Sequence, residues 1–492
     1  MAPELSIVGM LGLAVLGTLA CLVAPRPRLV LAITVVVSAI TLLLSAHLWV
    51  VVLAGNRVSA ANELLVVDAF SAFHLVVLSV VFLLCSLFAG VYFAEEADGH
   101  AFSPRLARRF GALWLGSLAA MMLVLVSNNL GIMWVGMEAT TLLTAFLISL
   151  HRDRFSLEAM WKYLLICSVG IAFAFIGTIF AAAAVQRRSG LGADALLWTR
   201  LAAPGVELDP TLMTFAFIFV LVGYGTKAGL APIHSWLPDA HSQAPAPVSA
   251  MFSGFLLNTA LYCIMRYVPL VRHAVGAGFA ERVLIFFGAL SILVAAGFIV
   301  FQRDAKRLLA YHSVEHLGII TLGYGLGPLG SFAALFHTLN HSICKALAFF
   351  AVGRLGQQFG SHDMHLLSGA LRANRLWGIA LVVSILALIG AAPFAIFMSE
   401  YQLLRAAVGA SAWFTLALFL AASAVVFIAA LRHLIDMAFG DCDAAVPRTS
   451  NTGSSLVIVA TATGLLLLLG LWMPPFLSAA IKHAAAAVDG GP

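Results

Sequence analysis

The segment 225–250, GTKAGLAPIHSWLPDAHSQAPAPVSA, places ionisable side chains inside or beside sequence that is otherwise as apolar as a lipid-embedded helix. Its ionisable residues are Lys227, His234, Asp239 and His241. An ionisable group at bilayer depth costs roughly 2.5 to 3.5 kcal/mol on insertion scales, and Pro232 removes one backbone hydrogen bond. A chain that served only as an anchor would avoid both costs, so the segment indicates ion transport.

Residues of the same kind recur at predicted membrane depth along the rest of the chain. The charged residues are Glu138, Lys227, Glu315, Lys345 and Glu400, and the histidines are His312, His316, His337 and His341. Imidazole takes up and releases a proton near neutral pH, so this mixture predicts a proton relay. A single histidine could instead be part of a polar seam between packed helices. Structural polar residues in membranes are usually Ser, Thr or Asn, so the whole set favours function.

The spacing of these residues places them on shared helix faces. His337, His341 and Lys345 lie at positions i, i+4 and i+8, which is one face of a helix over a rise of about 12 Å. In the preceding span, His312, Glu315 and His316 lie at i, i+3 and i+4. The two faces could therefore point at each other.

Two similar helix breakers accompany the charges. GLAP ends at Pro232 and GAAP ends at Pro393. Lys227 precedes the first breaker and Glu400 follows the second, as in transporters that carry paired discontinuous helices in two repeats. Gly-Pro kinks are also common in ordinary membrane helices, and that simpler interpretation stays open.

The helices that must position these groups follow from composition. The chain has 492 residues, of which 62% are hydrophobic and 10% are charged, so it is predicted to be an all-α polytopic membrane protein. Fourteen spans are predicted near 4–23, 28–53, 70–93, 110–127, 129–150, 160–185, 211–236, 246–268, 282–301, 307–325, 329–353, 376–407, 411–435 and 455–475. Arg and Lys are more frequent in the loops after odd-numbered spans, which places those loops in the cytoplasm and both termini outside.

Several site classes are disfavoured by the sequence. The six cysteines are scattered singly, without a Cys-x-x-Cys pair, and no glycine-rich phosphate loop follows a strand. We therefore expect no metal, iron-sulfur cluster or nucleotide cofactor in this chain. The net charge of +5 is explained by cytoplasmic arginines facing lipid headgroups, so no nucleic-acid partner is expected.

Six ordered motifs between about residues 60 and 440 carry a family resemblance. They are MWVGMEATTLLTAFLI around Glu138, EAMWKYLL around Lys162, GTKAGLAPIHSWLPDAHSQAP around Lys227, YHSVEHLGII around Glu315, LFHTLNHSICKALAFF around Lys345 and GAAPFAIFMSEY around Glu400. The sequence resembles the proton-translocating antiporter-like subunits shared by NADH:quinone oxidoreductases, membrane-bound hydrogenases and multisubunit cation/proton antiporters. Within that family it is most similar to the component F group of hydrogenase-4 subunits.

The resemblance implies a single membrane domain over 1–492 with fourteen helices and two inverted five-helix repeats, 110–268 and 282–435. It also implies that Glu138 and Lys227 form a pair that drives a central polar axis, from which charge passes to Lys345 and then to Glu400 as the exit group. Asp239 and His241 are candidates for proton uptake, although a capped helix end explains them equally well.

One departure from the family is Asn258, where the quinone-reductase relatives usually have a lysine. An amide cannot carry a proton but can orient a bridging water, so we expect the relay to pass from here through water to His312 or His316.

The predicted function is that of a proton-conducting subunit, without a redox centre, in a redox-driven complex of the membrane-bound hydrogenase or formate hydrogenlyase type. Soluble redox subunits with nickel-iron and iron-sulfur centres, other antiporter-like subunits and small membrane subunits are the expected partners, in a bacterial inner membrane. The alternatives are a component of a multisubunit sodium/proton antiporter and an energy-coupling subunit for inorganic-carbon uptake beside a zinc-containing soluble partner.

Overall fold

The computed structural model describes residues 2–55, 57–94, 96, 102–189, 192–441 and 451–489, so Cys442 lies outside the described residues. Short loops join the helices, and one antiparallel hairpin pairs β1 (Val58–Ala60) with β2 (Leu65–Val67). The helices up to the middle of the chain are α1 Pro3–Val23, α2 Pro27–Leu53, α3 Ala69–Tyr92, α4 Pro104–Val126, α5 Leu130–Ile148, α6 Arg154–Ser189, α7 Trp198–Leu201, α8 Pro210–Ala228, α9 Trp236–Gln243, α10 Ala246–Met251 and α11 Leu257–Val275. Those that follow are α12 Phe279–Ile299, α13 Ala305–Tyr324, α14 Pro328–Phe359, α15 Ala370–Ala373, α16 Arg375–Leu388, α17 Ala395–Gly409, α18 Trp413–Phe439, α19 Gly453–Leu471 and α20 Pro475–Asp489.

Eleven helical segments in the described part of the chain are long and apolar enough to cross a membrane. They are α1 to α6, α8, the continuous segment α10–α11, α12, α18 and α19. The protein is therefore a multi-pass membrane protein. The histidine-bearing helices α13 and α14 are absent from this set, and α16 is a shorter apolar helix.

Both predicted helix breaks are present. α8 ends one residue before Gly229, which has a φ of +77°, and α9 begins after Pro232. α16 ends shortly before Gly390, which has a φ of +69°, and α17 begins after Pro393. Both glycines adopt the left-handed conformation that side chains with a Cβ disfavour. The single span predicted over 376–407 is therefore two helices with an interruption between them.

The segment α10–α11 is the most completely buried of the eleven membrane-crossing segments. Its apolar part is entirely buried by the other helices. Between α10 and α11 the backbone makes one π-helical turn, Phe252–Leu256, and Asn258 follows two residues later. π turns inside helices are frequent at functional sites because they interrupt the regular backbone hydrogen bonds.

The last helix, α20, was not predicted, since the final predicted span ends at residue 475. α20 is amphipathic, with Lys482 and His483 exposed. Its buried face consists of Leu477, Ala480, Ile481, Ala484, Ala485 and Val488. This face packs against α3, α11 and α14.

Candidate functional site

Lys227, in the last turn of α8, is fully buried. Its Nζ atom donates hydrogen bonds to Thr141 Oγ1 at 2.9 Å and to the hydroxyl of Tyr163. Its ammonium also lies 4.5 Å from the centre of the Tyr163 ring. Among the described residues no carboxylate lies within 4 Å of Nζ. Hydroxyl groups and an aromatic ring therefore replace an ion-pair partner at this lysine.

Glu138 lies on α5, one helical turn before Thr141, and is partly buried. Its Oε1 atom accepts a hydrogen bond from Ser168 Oγ at 3.0 Å, and its buried Oε2 atom has no protein partner. The predicted pair of Glu138 and Lys227 is thus close but not in direct contact. Thr141 connects them along one helix face, and Oε2 is free to accept a proton or a water.

Tyr163 completes a first cluster, which consists of Glu138, Thr141, Tyr163 and Lys227. Sequence reasoning did not single out this tyrosine. It lies on α6, is fully buried, and shares a 2.6 Å hydrogen bond with Thr144. The motif EAMWKYLL contains it, but attention to ionisable residues favoured Lys162 instead. Lys162 is half exposed and pairs with Glu158 at 2.7 Å, so it belongs to the surface.

The two candidates for proton uptake lie in different environments. Asp239 pairs with Lys162 at 3.1 Å and with Arg307 at 2.8 Å, near the surface. His241 is fully buried, stacks on Phe349 at 5.1 Å between ring centres, and lies 6.1 Å from the Phe252 ring. Both ring nitrogens of His241 lack a protein partner in the described structure. Phe252 also lies 6.0 Å from the Tyr163 ring, and Phe349 lies 5.7 Å from Lys345 Nζ, so His241 is an internal group between Tyr163 and Lys345. Of the two candidates only Asp239 is accessible.

Lys306 is a second residue that sequence reasoning missed. Its position in the charged run QRDAKR indicated a loop cation, but its side chain is buried at the start of α13. Nζ donates to the backbone oxygens of Ser242 at 3.0 Å and Ala244 at 2.5 Å, at the C-terminal end of α9. Burial and the nearby Lys306 ammonium lower the pKa of His362, in the loop after α14, to about 3.

Asn258 lies in the buried segment after the π turn. Its Nδ2 atom donates to the Gly254 oxygen at 3.1 Å and, at 3.5 Å, to Ser342 Oγ on α14. Its Oδ1 atom is buried without a protein partner. The amide therefore has an acceptor available for a water, as the predicted role requires.

The second cluster joins α13, α14 and α17 through histidines. His312 Nδ1 lies 2.8 Å from Glu315 Oε2, and this pair is buried. His316 Nδ1 lies 2.8 Å from His337 Nε2, and His337 Nδ1 lies 2.9 Å from Ser399 Oγ. The predicted facing of the two helix faces is therefore present, with a hydrogen-bonded row running from α13 through α14 to α17.

His341 and Lys345 continue the same face of α14. The His341 ring lies 5.2 Å from the His316 ring, and both of its nitrogens lack a protein partner among the described residues. Lys345 is fully buried, and its Nζ donates to the backbone oxygen of Leu309 on α13. Lys345, like Lys227, is therefore held by neutral oxygen atoms.

Glu400, the predicted exit group, lies on α17 beside the second helix break. A Cβ atom placed on Gly390 would come within 2.2 Å of Glu400 Oε2, so the carboxylate packs directly against this glycine. Asn340 on α14 donates to the Ala395 oxygen at 2.8 Å and thereby holds the end of the break. The helix interruption at Pro393 therefore lies beside the carboxylate of Glu400.

His234 lies apart from both clusters. It is in the break between α8 and α9, beside Pro232, and its ring makes edge contacts with Phe298 at 6.3 Å and Tyr311 at 6.1 Å. Its Nδ1 atom has no protein partner in the described structure. The structure therefore brings together the other predicted relay residues in two clusters but leaves His234 outside them.

The arrangement is a row of buried groups that can bind a proton or orient a water. Hydroxyl groups surround Lys227, and imidazoles lie on the same helix face as Lys345. Such a row can pass protons through otherwise apolar helices if waters fill the remaining gaps.

The central part of the chain, residues 127–426, matches the family described as NADH:quinone oxidoreductase/Mrp antiporter, TM. A hydrogenase-4 component F homolog of Methylacidiphilum infernorum is 38% identical over 81% of this chain and 83% of its own length. A Na(+)/H(+) antiporter subunit of Alkalihalophilus pseudofirmus is 27% identical over 72% of this chain and 69% of its own.

Among solved structures, a chain of the archaeal membrane-bound sulfane sulfur reductase superposes with a TM-score of 0.87. The superposition covers 99% of this chain and 98% of that chain, at 24% identity. This likeness establishes the fold.

Proposed function

The chain belongs to the membrane-subunit family of NADH:quinone oxidoreductases and Mrp antiporters, and we propose that its two buried clusters form one relay that moves protons across the membrane. It is an antiporter-like subunit of the type found in hydrogenase, quinone-reductase or Mrp complexes.

The single observation that carries the proposal is the environment of Lys227. A fully buried ammonium without a carboxylate in contact is costly, and structural lysines are normally paired. The hydroxyls of Thr141 and Tyr163 can accept hydrogen bonds from the charged form and can equally donate to a neutral amine. Lys227 is therefore held where it can both keep and release a proton.

Glu138 supplies the control of that proton. When its carboxylate lies near the Thr141 side of Lys227, its negative charge favours the ammonium, and when it turns away that stabilisation is lost. The proton released from Nζ then passes through water oriented by the Asn258 amide toward the second cluster. There the hydrogen-bonded row from His316 through His337 to Ser399 leads to the region of Glu400.

We infer fourteen spans from the eleven apolar segments together with α13, α14 and the interrupted pair α16–α17. The repeats proposed over 110–268 and 282–435 each contain one helix break with a charged residue beside it, which is fully buried at Lys227 and partly buried at Glu400. The proposed location is a bacterial inner membrane with both termini outside. Alkaline phosphatase fused in the 186–210 loop should be active and a fusion after Arg152 inactive, and the reverse pattern would overturn this orientation.

We propose a complex of the membrane-bound hydrogenase or formate hydrogenlyase type, which the similarity to a hydrogenase-4 component F homolog supports. In that complex the nickel-iron and iron-sulfur centres belong to soluble partner subunits, and this chain carries no redox centre. The similarity to a sodium/proton antiporter component supports the alternative, in which the same relay exchanges ions without redox input.

Purification of the complex from its native membranes in mild detergent tests the assignment. Mass spectrometry should identify soluble redox subunits, and metal analysis should find nickel and iron in the purified complex. Recovery of small membrane subunits only, without nickel or iron, would contradict the hydrogenase assignment and favour the antiporter.

A further inference from the structure

Three histidines of the second cluster have ring nitrogens without a protein partner among the described residues. These atoms are Nε2 of His312, Nε2 of His316, and both nitrogens of His341. All three side chains are fully buried. A buried imidazole nitrogen normally has a hydrogen-bond partner. Several unpartnered imidazole nitrogens in one place therefore indicate a binding site for a ligand or ion.

The spacing of two of these histidines is one that binds metals. His312-Ser-Val-Glu315-His316 is an H-x-x-E-H sequence on the helix α13, which places the two histidines at i and i+4 on one face. One ligand atom each from His312, Glu315 and His316 lies within 4.8 Å of the others. The His341 ring approaches from α14, with its centre 5.2 Å from that of His316.

The hydrogen bonds made by the other ring nitrogens of His312 and His316 resemble those that orient metal-bound histidines. A metal-bound histidine usually makes a second hydrogen bond through its other nitrogen, which fixes the ring. His312 does so with the carboxylate of Glu315, and His316 does so with His337, in each case through Nδ1. In both rings the atom left free is therefore Nε2.

From this geometry we propose that His312, His316 and His341 form a three-histidine site for a divalent transition-metal ion, for which Zn²⁺ is the best match. Zinc accepts three imidazoles and a water in a tetrahedral arrangement with Zn–N bonds of about 2.0–2.1 Å, so small side-chain rotations would draw the rings together. Glu315 supplies negative charge beside the site and attracts the ion. Lys345 lies one turn beyond His341, and its positive charge repels the ion.

The consequence for function rests on the proposed relay. A bound zinc ion occupies Nε2 of His316, the atom through which a proton would enter the row from His316 to His337, so zinc should inhibit proton movement reversibly. The sequence predicted no metal because the third ligand comes from a different helix, and no sequence spacing connects His341 with the H-x-x-E-H motif.

The test is zinc binding by the purified complex, measured by metal analysis after incubation with ZnCl₂ and desalting. The unsubstituted protein should retain one zinc more than His312→Gln or His341→Gln, and X-ray absorption at the zinc edge should show three nitrogen ligands. His74→Gln is the matched control, because His74 is similarly buried on α3 and its one hydrogen bond among the described residues is with the Phe70 oxygen, at 2.8 Å. It should retain the zinc.

Equal zinc content in the unsubstituted protein and all three variants, or an oxygen-only ligand set, would overturn the proposed site. Proton flux is measured in the same preparations with and without ZnCl₂, and we expect flux to be lost on zinc addition only where the site is intact. Normal flux with zinc bound would overturn the inhibition. Absence of flux in every metal-free preparation would refute the proposed function and leave the zinc count as an independent result.

Discussion

The two halves of the relay hold a buried lysine in different ways. Lys227 contacts hydroxyls from α5 and α6, and no histidine lies in its cluster of described contacts. Lys345 follows two histidines on its own helix face and contacts a backbone oxygen of α13. The first half therefore offers one lysine with a nearby glutamate, and the second offers several groups that can pass a proton on.

This difference separates two tasks. A single lysine controlled by Glu138 can act as a gate, because no neighbouring group can substitute for it. A row of imidazoles acts as a conductor, because each ring has an accepting and a donating nitrogen. Substitutions should accordingly be more damaging in the first half than equivalent ones in the second.

The largest effect is expected from loss of the gate. Lys227→Ala or Glu138→Gln should reduce coupled proton movement by at least about a hundredfold, the usual contribution of a positioned proton-transfer group, while the complex still assembles. Lys482→Ala is the matched control, because Lys482 is exposed on α20, and it should conduct normally. Wild-type pumping by assembled Lys227→Ala would remove Lys227 from the relay.

Arginine substitutions sharpen the contrast between the halves. A guanidinium stays protonated, so Lys227→Arg should be as inactive as Lys227→Ala although the charge is kept. Lys345→Arg should lose only about tenfold, because the neighbouring histidines still carry protons. Proton uptake by sealed vesicles distinguishes the two. Full activity of Lys227→Arg would show that this lysine acts only as a fixed charge.

The glycines at the two helix breaks provide a smaller, matched comparison. Alanine at Gly229 or Gly390 forces a left-handed conformation and should lower stability by about 1–2 kcal/mol in each case, seen as a lower Tm. At Gly390 the new Cβ displaces the Glu400 carboxylate, whereas at Gly229 it meets the flexible end of Leu237. Flux should therefore fall several times further in Gly390→Ala. Equal flux in both variants would argue against Glu400 as the exit group.

The last comparison concerns His362, at the partly buried edge of the second half. Its pKa of about 3 in the folded protein lies below the ordinary value of about 6.5, so protonation favours the unfolded chain. The neutral ring stabilises the fold above pH 6.5, and this stabilisation is lost as the pH falls toward 3. By pH 5 the loss should approach 2 kcal/mol.

Thermal unfolding at pH 7.5 and pH 5 checks this value. The drop in Tm between the two conditions should be smaller in His362→Gln than in the unsubstituted protein. The exposed His483 provides the control, and His483→Gln should leave the drop unchanged. An identical drop in all three proteins would mean that His362 titrates normally.

The sequence predicted the helix breaks and the faces of α13 and α14, because both follow from local rules: Gly-Pro chemistry and the helical repeat. It did not identify Tyr163 as the partner of Lys227, since a tyrosine in an apolar helix is unremarkable until another helix brings a lysine to it. Lys306 was assigned to a loop because charged neighbours precede it, and only packing against α9 shows that it is buried.

The predictions for Glu138 and His241 show the same limit. Residue type identified both as functional candidates, but distance and depth depend on packing between helices. Glu138 stops short of contact with Lys227, and His241 lies between the two clusters, not at the surface. The sequence predicted only some of the contacts between these groups. It predicted almost nothing about which groups are accessible.

The central claim, that the two halves form one relay, is tested most directly at Asn258, where an amide and not a lysine lies between them. Redox-driven proton flux should be measured in vesicles containing the complex with Asn258→Leu or Asn258→Lys. Leucine cannot hold a bridging water, so it should abolish flux in an assembled complex, whereas lysine should preserve or raise it. Normal flux in Asn258→Leu would contradict the account, because protons would then cross without passing the point that joins the two halves.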